Sequence, residues 1–131
     1  QVNPQNVDGV NVIKLFDTIN SRIELLLDRN HMIGQAMFMA VRNADDIIRI
    51  IQDKIVPLME EYFFNDLQKI QMVFNDLYES GELRENAIYM HSILSADSYF
   101  DFVGDYLILD KKRYFINPNI TVTSIRHIYG E

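Results

Sequence analysis

The chain has 131 residues, of which 48% are hydrophobic and 24% charged, so it is long enough for one domain with a buried core, and wholesale disorder is excluded. Its lack of cysteine excludes disulfides and thiolate metal sites, and no apolar run reaches the roughly 18–20 residues that a membrane span needs. The net charge is −7, with 19 acidic against 12 basic residues, and because an acidic domain repels phosphates, we expect no direct contact with nucleic acid and none with a membrane.

The first segment, residues 1–11, is polar and lacks helical or strand periodicity, so we predict a leader ahead of the helical core. It has no apolar stretch of the kind that a signal peptide needs, and together with the absence of cysteine this favours a cytoplasmic protein. Because the sequence begins with Gln1 rather than Met, we expect an excised or processed piece of a longer chain.

Helical periodicity then predicts a helical core over residues 12–80. A first helix spans about 12–29 with Asn11 as its N-cap, and a short apolar helix follows Gly34 over residues 35–41.

A third helix carries isoleucines at helical spacing, with Asn43 or Asp45 as its N-cap. Pro57 lies inside this pattern. Because proline lacks a backbone donor and clashes with the preceding turn, we predict a kink or a restart of the helix at about residue 56.

A fourth helix is predicted to begin at Asn65 or Asp66 and to stop near Gly81. The period of the apolar residues changes after this glycine, and residues 87–102 are compatible with a helix or with irregular structure.

The clearest strand signal comes near the C-terminus, where two β-rich runs, Tyr106–Leu109 and Arg113–Ile116, flank a short polar turn and predict a hairpin. After it, residues 121–129 form either a helix with a threonine cap or an extended segment.

These elements predict a mainly α fold, a small bundle of three to five helices with a short C-terminal β-hairpin at about 106–116. No linker divides the chain, so we expect a single domain over residues 1–131. It would consist of the leader, the helical core and a hairpin-containing extension over residues 81–131.

The motifs of a nucleotide-hydrolysing enzyme are missing from the sequence. A P-loop needs closely spaced glycines followed by Gly-Lys-Ser/Thr, but the five glycines lie far apart and none precedes a lysine. The three histidines have no ligand partner at the spacing of a zinc site, so we predict no metal site. Acidic pairs such as Asp45–Asp46 and Glu60–Glu61 are expected to form a solvated helix face rather than a catalytic pair. We therefore expect no catalytic residue in this chain.

Polar side chains remain around the first helix and the turn that follows it. Arginines beside an apolar stripe, such as Arg22 and Arg29, are normally solvent or salt-bridge residues. The functional alternative is that an arginine, or the N-terminus of a helix starting after Gly34, faces a nucleotide phosphate held by another domain.

Four segments of the chain stand in the order that they have in a known family. They read Asn-Ser-Arg-Ile at 20–23, Leu-Leu-Asp-Arg-Asn-His at 26–31, Ile-Gly-Gln-Ala-Met-Phe at 33–38 and Lys-Ile-Val-Pro-Leu-Met-Glu-Glu-Tyr-Phe at 54–63. This series resembles the helical lid of McrB-type AAA+ NTPases, the motor subunits of methylcytosine-directed restriction systems. The third segment departs from the family, which has His-Ser-Tyr where this chain has Gln35, Ala36 and Met37.

The resemblance implies a C-terminal lid and assembly domain that closes over a nucleotide held by a P-loop core outside this chain. The Gly34 turn would take the place of the second sensor, the element of AAA+ lids that reports nucleotide state. The nucleotide-proximal residues implied are Arg22, Arg29, Gly34 and Gln35, with Asn20 and His31 in support. A glutamine at position 35 can donate a hydrogen bond but carries no charge.

The same resemblance implies the cofactors and partners of the parent protein, which would be an NTP hydrolase using GTP or ATP with Mg. Its partners would be the N-terminal AAA+ core of the same protein, neighbouring ring subunits and a McrC-like nuclease subunit. The alternative is a free-standing helical module that binds a protein partner and has no nucleotide role.

Overall fold

Buried side chains from all five α-helices meet in one hydrophobic cluster in the computed structural model, which describes residues 6–131. The helices are α1 Val12–Leu26, α2 Ala44–Ile50, α3 Val56–Tyr62, α4 Gln68–Val73 and α5 Val122–Ile128. Two antiparallel strand pairs accompany them, β1 Asn6–Val7 with β2 Val10–Asn11 and β3 Tyr89–Leu94 with β4 Lys111–Ile116. The predicted mainly α bundle with a C-terminal β-hairpin is thus confirmed. None of the helices in residues 6–131 is long and apolar enough to cross a membrane.

Part of the predicted leader is a tight β-hairpin that joins the core, while residues 1–5 lie outside the described residues. Asp8 and Gly9 form its turn with φ values of +52° and +86°, the backbone of a two-residue turn that Asp-Gly favours. Val10, directly after the turn, is fully buried. Residues 6–11 therefore belong to the folded unit and fix the start of α1.

The first helix begins at its predicted cap, Asn11, and ends at Leu26, earlier than predicted. Asp28 accounts for the early end. Its carboxylate accepts hydrogen bonds from the backbone N–H groups of Asn30 and His31, at 2.8 and 3.1 Å. Short polar side chains compete in this way with the hydrogen bonds of a continuing helix, so the chain turns here into a 3-10 turn.

A kink or a restart was predicted at about residue 56, and the structure has a change of helix type there without a break in the helical backbone. The chain passes from α2, capped by Asn43 as predicted, through a π-helical turn over Ile51–Ile55 into α3, which starts at Val56. Pro57 thereby lies in the first turn of α3, where its missing N–H is least costly.

The predicted bounds of the fourth helix were wrong. No side chain caps the start of α4, so neither Asn65 nor Asp66 has the predicted role. The helix ends just before Asn75, whose φ of +57° takes the backbone out of the helical region. Gly81 lies later, in a separate turn closed by its N–H and the carbonyl of Tyr78.

The C-terminal hairpin uses a different first strand from the predicted one. β4 pairs along its whole length with β3, which comes from the ambiguous region 87–102, whereas Tyr106–Leu109 is not a strand. The turn predicted between 109 and 113 lacks the glycine or asparagine that a tight hairpin requires. On β3, in contrast, the side chain of Tyr89 is buried in the core. The two strands are joined by a long connection over residues 95–110.

Of the two alternatives for residues 121–129, the helix forms: α5 has Thr121 as its N-cap. The side chain of Thr121 accepts from the N–H of Ser124, and the Ser124 hydroxyl accepts from the N–H of Thr121 in return. Its apolar face, with Ile125 and Ile128, is fully buried.

Candidate functional site

Asn20 holds the segment before Gly34 against the middle of α1. Its side-chain amide donates to the carbonyl oxygen of Ile33 at 3.0 Å, and its Oδ1 accepts from the N–H of Ile33 at 2.6 Å. Asn20 and Ile33 are both buried, so these hydrogen bonds form away from water. A buried backbone N–H or carbonyl group without a hydrogen-bond partner would lower the stability of the fold. The supporting residue predicted from the sequence therefore fixes the position of the Gly34 turn relative to α1.

The helix predicted after Gly34 is a single 3-10 turn, Gln35–Phe38, so the prediction of a helix reaching residue 41 was wrong. Gly34 has an ordinary φ of −72°, and a Cβ added to it would meet no atom within 4 Å. The backbone therefore does not demand glycine there. The side chain of Gln35 is exposed, but one short turn has a much weaker dipole than the predicted helix.

An apolar cleft of about 230 Å³ separates this turn from the N-terminal half of α1. The rings of Phe16 and Phe38 meet edge to face at 5.2 Å beside it, while Ile13, Asp17 and Gln35 complete its rim. The cleft combines an apolar floor with one carboxylate and one amide, which suits a protein side chain or a planar apolar group more than an isolated phosphate.

Arg22 connects three helices. Its Nη1 donates to the carbonyl oxygens of Val73 at 2.9 Å and of Ile128 at 2.6 Å, the final residues of α4 and α5. Carbonyl groups at helix C-termini lack partners within the helix and carry partial negative charge, so a guanidinium there is doubly favourable. Burial lowers the pKa of Arg22 against an opposing effect of Asp76. Its guanidinium thus serves the packing of the bundle.

A polar groove of about 540 Å³ runs along the exposed side of α1, and Arg22 borders it. Lys14, Asp17 and Ser21 line it as well, with the Lys14 ammonium 5.7 Å from the centre of the Tyr129 ring. The groove shares Asp17 with the apolar cleft. Arg22 and Gln35 therefore border two adjoining depressions on the N-terminal two thirds of α1.

Arg29 and His31 lie beyond the other end of α1, in the 3-10 turn started by Asp28. His31 Nδ1 lies 2.6 Å from the Asp28 carboxylate, and this bond lowers the pKa of Asp28. The His31 ring packs edge to face on Tyr62 of α3 at 4.7 Å, while Arg29 is exposed. The structure therefore separates Arg29 and His31, which lie beyond the C-terminal end of α1, from Gln35, which lies beside its N-terminal half.

One polar residue with a central position was not predicted. Asp76 is buried, and its carboxylate accepts from the N–H groups of Ile88 at 2.7 Å and Tyr89 at 2.8 Å. Burial raises the pKa of Asp76 to about 7, against the effects of these two hydrogen bonds and of nearby arginines. The only sequence signal was an acidic residue next to the apolar stripe of α4, which does not separate a buried anchor from a surface acid.

The fold and this geometry define a helical domain whose turn after α1 is held by buried hydrogen bonds. Residues 11–71 match the family model described as McrB, alpha-helical lid domain. The match begins at the N-cap of α1 and ends within α4, so this part of the chain is similar to the McrB-type lid, in agreement with the resemblance found in the sequence. No curated protein matches the chain.

Proposed function

We propose that this chain is the C-terminal lid and assembly domain of a McrB-like AAA+ GTPase or ATPase in a restriction system. The lid would close over a nucleotide bound by a P-loop core of the same protein and would support ring assembly. The observation that carries the proposal is the lid-family match over residues 11–71. The two hydrogen bonds between the Asn20 side chain and the backbone of Ile33 support the proposal. They hold the Gly34 turn in one position on α1 and so preorganise a contact surface.

A lid transmits nucleotide state only if it moves as one body. Arg22 favours this behaviour, since it ties α1 to the ends of α4 and α5. We therefore assign Arg22 a positioning role rather than a nucleotide contact. Gln35 and Arg29 are exposed and remain the residues that we propose to face the core, the nucleotide or the next subunit.

Nucleotide phosphates and Mg would be held outside this chain. The sequence has no P-loop, and within residues 6–131 no three His, Asp or Glu side chains are grouped so that they could hold a metal ion. In our proposal the partners are the AAA+ core, the neighbouring ring subunits and a McrC-like nuclease, and the residues here orient the lid rather than perform chemistry.

The proposal is tested in the complete protein with Gln35→Ala and Arg29→Ala. Because these exposed side chains are expected to meet the nucleotide-bearing core or the next subunit, each substitution should lower GTP or ATP hydrolysis about fivefold or more, the size of one lost polar contact. Hydrolysis and ring assembly are measured by phosphate release and sedimentation velocity.

Lys111→Ala, on β4 and also exposed, is the matched control for hydrolysis alone and should keep the wild-type hydrolysis rate. The 131-residue chain alone serves as the blank and should not turn over either nucleotide. Wild-type hydrolysis and assembly in both variants would remove the site assignment. A complete protein without a P-loop would remove the lid function itself.

The alternative is a free-standing protein-interaction module, and one observation favours it. Large hydrophobic side chains are exposed along residues 99–109, outside the part of the chain that matches the lid family. The two functions are distinguished by adding nucleotide to the complete protein, because only the lid function predicts a nucleotide-dependent change in lid position.

A further inference from the structure

The distal part of the C-terminal hairpin exposes far more apolar surface than the rest of the molecule. Nine of the seventeen exposed large hydrophobic side chains in residues 6–131 fall between Ile93 and Phe115. The fractional exposures of Phe102, Tyr106 and Leu107 are 80%, 78% and 85%. Exposed apolar residues concentrated in this way mark interaction sites.

The base of the connection between β3 and β4 encloses a cavity of about 400 Å³. Its walls are apolar, formed largely by Tyr99, Phe100, Ile108 and Leu109. The base is closed by a hydrogen bond from the N–H of Ala96 to the Asp110 carboxylate at 2.8 Å. The cavity is thus a formed feature of the connection and is large enough for an aromatic side chain.

Two cations border this apolar cavity. Lys111 and Arg113 alternate along β4, so they lie on the same face of the strand, and both are exposed. Lys112 lies between them on the opposite face and completes the only basic run in the sequence.

The tip of the connection has the opposite chemistry. Residues 101–107 carry two aspartates, Asp101 and Asp105, and no Lys or Arg. Between and beside the aspartates stand Phe102, Tyr106 and Leu107, all strongly exposed. One short element therefore presents an acidic aromatic tip next to an apolar cavity with a basic rim.

We propose that the tip of one copy of this chain enters the basic-rimmed cavity of a second copy, and that the second tip enters the first cavity in return. A contact of this reciprocal kind closes on itself as a two-fold dimer. Each copy supplies two carboxylates to two cations and covers its partner's aromatic tip. This contact does not depend on the lid function, since it lies outside the segment that matches the lid family.

Charge disfavours the other occupants of this surface. A membrane with anionic lipids would repel the acidic tip, and so would nucleic acid. In a chain with a net charge of −7, Lys111–Arg113 is the only place where three cations are adjacent, so the densest positive charge that a second copy offers the tip lies at the cavity rim. The surface is small, and the dimer is therefore expected to be weak and reversible.

The test is sedimentation equilibrium of the 131-residue chain between roughly 1 and 300 µM in 0.05 M and 0.5 M NaCl. We expect a monomer–dimer equilibrium with a dissociation constant on the order of 10–100 µM at low salt, typical of a small interface. It should weaken about threefold or more at high salt, where charges are screened beyond about 4 Å.

Variants with reversed charges at the tip or at the cavity rim test the charge pairing of the dimer most directly. Asp101→Lys with Asp105→Lys makes both halves of the contact basic, and Lys111→Glu with Arg113→Glu makes both halves acidic. Each double variant should be monomeric alone, whereas an equimolar mixture should form a heterodimer. Glu24→Lys with Glu79→Lys, at exposed positions elsewhere, makes the same charge change as the first variant and should dimerise normally.

Several outcomes would overturn the proposal. These are a monomer at all concentrations in low salt, a dimer that survives in both charge-reversed variants, or a mixture that stays monomeric although each variant keeps the wild-type circular dichroism spectrum. Flotation with vesicles of phosphatidylcholine and phosphatidylserine is run in parallel. Binding that is lost in Leu107→Ser, without any dimerisation in solution, would assign the tip to lipid and would also overturn it.

Discussion

Arg22 lies where α1 meets the ends of α4 and α5, and its two hydrogen bonds reach across 51 and 106 residues of sequence. The resemblance to the lid family implied a place near the nucleotide for this residue, whereas its position beside an apolar stripe alone is typical of a solvent or salt-bridge arginine. One of the carbonyl groups that it bonds belongs to Val73, the last residue of α4, a helix whose end was predicted eight residues too late, near Gly81. Arg22 donates to backbone carbonyl groups at two helix ends and therefore has a structural role. Any effect of its substitution on hydrolysis would follow from that role.

Arg22→Met tests this interpretation at the level of stability. Methionine keeps the apolar stem but leaves the carbonyl groups of Val73 and Ile128 without their charged donor. We expect a loss of roughly 2–4 kcal/mol in the free energy of unfolding, from two hydrogen bonds to a charged group and from incompletely satisfied acceptors. Urea denaturation monitored by circular dichroism measures it.

Arg29→Met is the control for this experiment, since Arg29 is exposed and substitutions at such positions usually change stability by less than about 0.5 kcal/mol. Equal losses in the two variants would contradict the structural role of Arg22.

At the scale of elements, the two glycines that flank α1 have different roles from those that the sequence indicated. Gly34 was expected to mark a functional turn, yet its φ of −72° is open to any residue. Gly9 lies in the predicted leader, and its φ of +86° is one that L-amino acids rarely adopt. The β-hairpin turn, rather than the candidate sensor turn, is the one whose backbone requires glycine.

Gly9→Ala and Gly34→Ala form a matched pair, because an added Cβ meets no atom within 4 Å at either position. Gly9→Ala should lower stability by about 1–2 kcal/mol through the left-handed backbone alone. Gly34→Ala should be neutral or should raise stability by up to about 1 kcal/mol, since alanine restricts the unfolded chain. Thermal unfolding of the two variants compares them directly, and the opposite order would show that the turn after α1 has another backbone conformation.

At the scale of the whole molecule, Asp76 joins the helical bundle to the C-terminal hairpin. Its carboxylate accepts from the backbone at the start of β3, and its own carbonyl oxygen accepts from the N–H of Arg84 at 2.8 Å. Burial raises the pKa of the Asp76 carboxyl group from 3.8 to about 7. The folded chain therefore holds a proton on Asp76 over a pH range in which the unfolded chain releases it.

This linkage predicts the pH dependence of stability. Because the folded pKa is the higher one, the contribution of Asp76 is present in full below about pH 4 and is lost as the pH rises through about 7. From pH 5 to pH 7.5 we expect this group to lower the free energy of unfolding by roughly 2–3 kcal/mol. Urea denaturation at both pH values measures the change.

Asp76→Asn isolates this contribution from other titrating groups. Burial lowers the pKa of His91, and a lowered histidine pKa makes the free energy of unfolding rise with pH, opposite to the effect of Asp76. The pH dependence of the variant is therefore compared with that of the wild-type protein. The variant should be less stable at pH 5, because its amide cannot accept both backbone hydrogen bonds, and it should lack the decline with pH. An identical decline in both proteins would rule out Asp76 as its source.

Much of the fold was predictable where one local interaction decides an element. The Asn11, Asn43 and Thr121 caps were recognisable because a short polar side chain before an apolar periodic run has few other uses. The change of helix type at Val56 lies where Pro57 predicted a disturbance of the helix. The Asp8–Gly9 turn carried an equally local signal, and it was overlooked because the runs on either side are only two residues long.

The elements that were predicted wrongly depend on contacts between distant parts of the chain. Tyr106–Leu109 has the stronger strand composition, but β4 pairs with β3 because that strand can bury Tyr89 in the core. The last carbonyl group of α4 bonds Arg22, 51 residues away. The early end of α1 is the exception, because it depends on local hydrogen bonds from the N–H groups of Asn30 and His31 to Asp28. Propensity is a weak guide when packing decides between two similar segments.

For this protein, the sequence by itself determined the mainly α class, the helix caps, the missing P-loop and the resemblance to a McrB-type lid, because each depends on residues close together in the chain. Only the tertiary structure decided that Arg22 supports two helix ends, that Asp76 anchors the hairpin and that Arg29 and Gln35 lie in separate places along α1. A side chain of given type is free or bound according to what lies beside it, and the neighbours of Asp76 and Arg22 come from 12 to 106 residues away in the sequence.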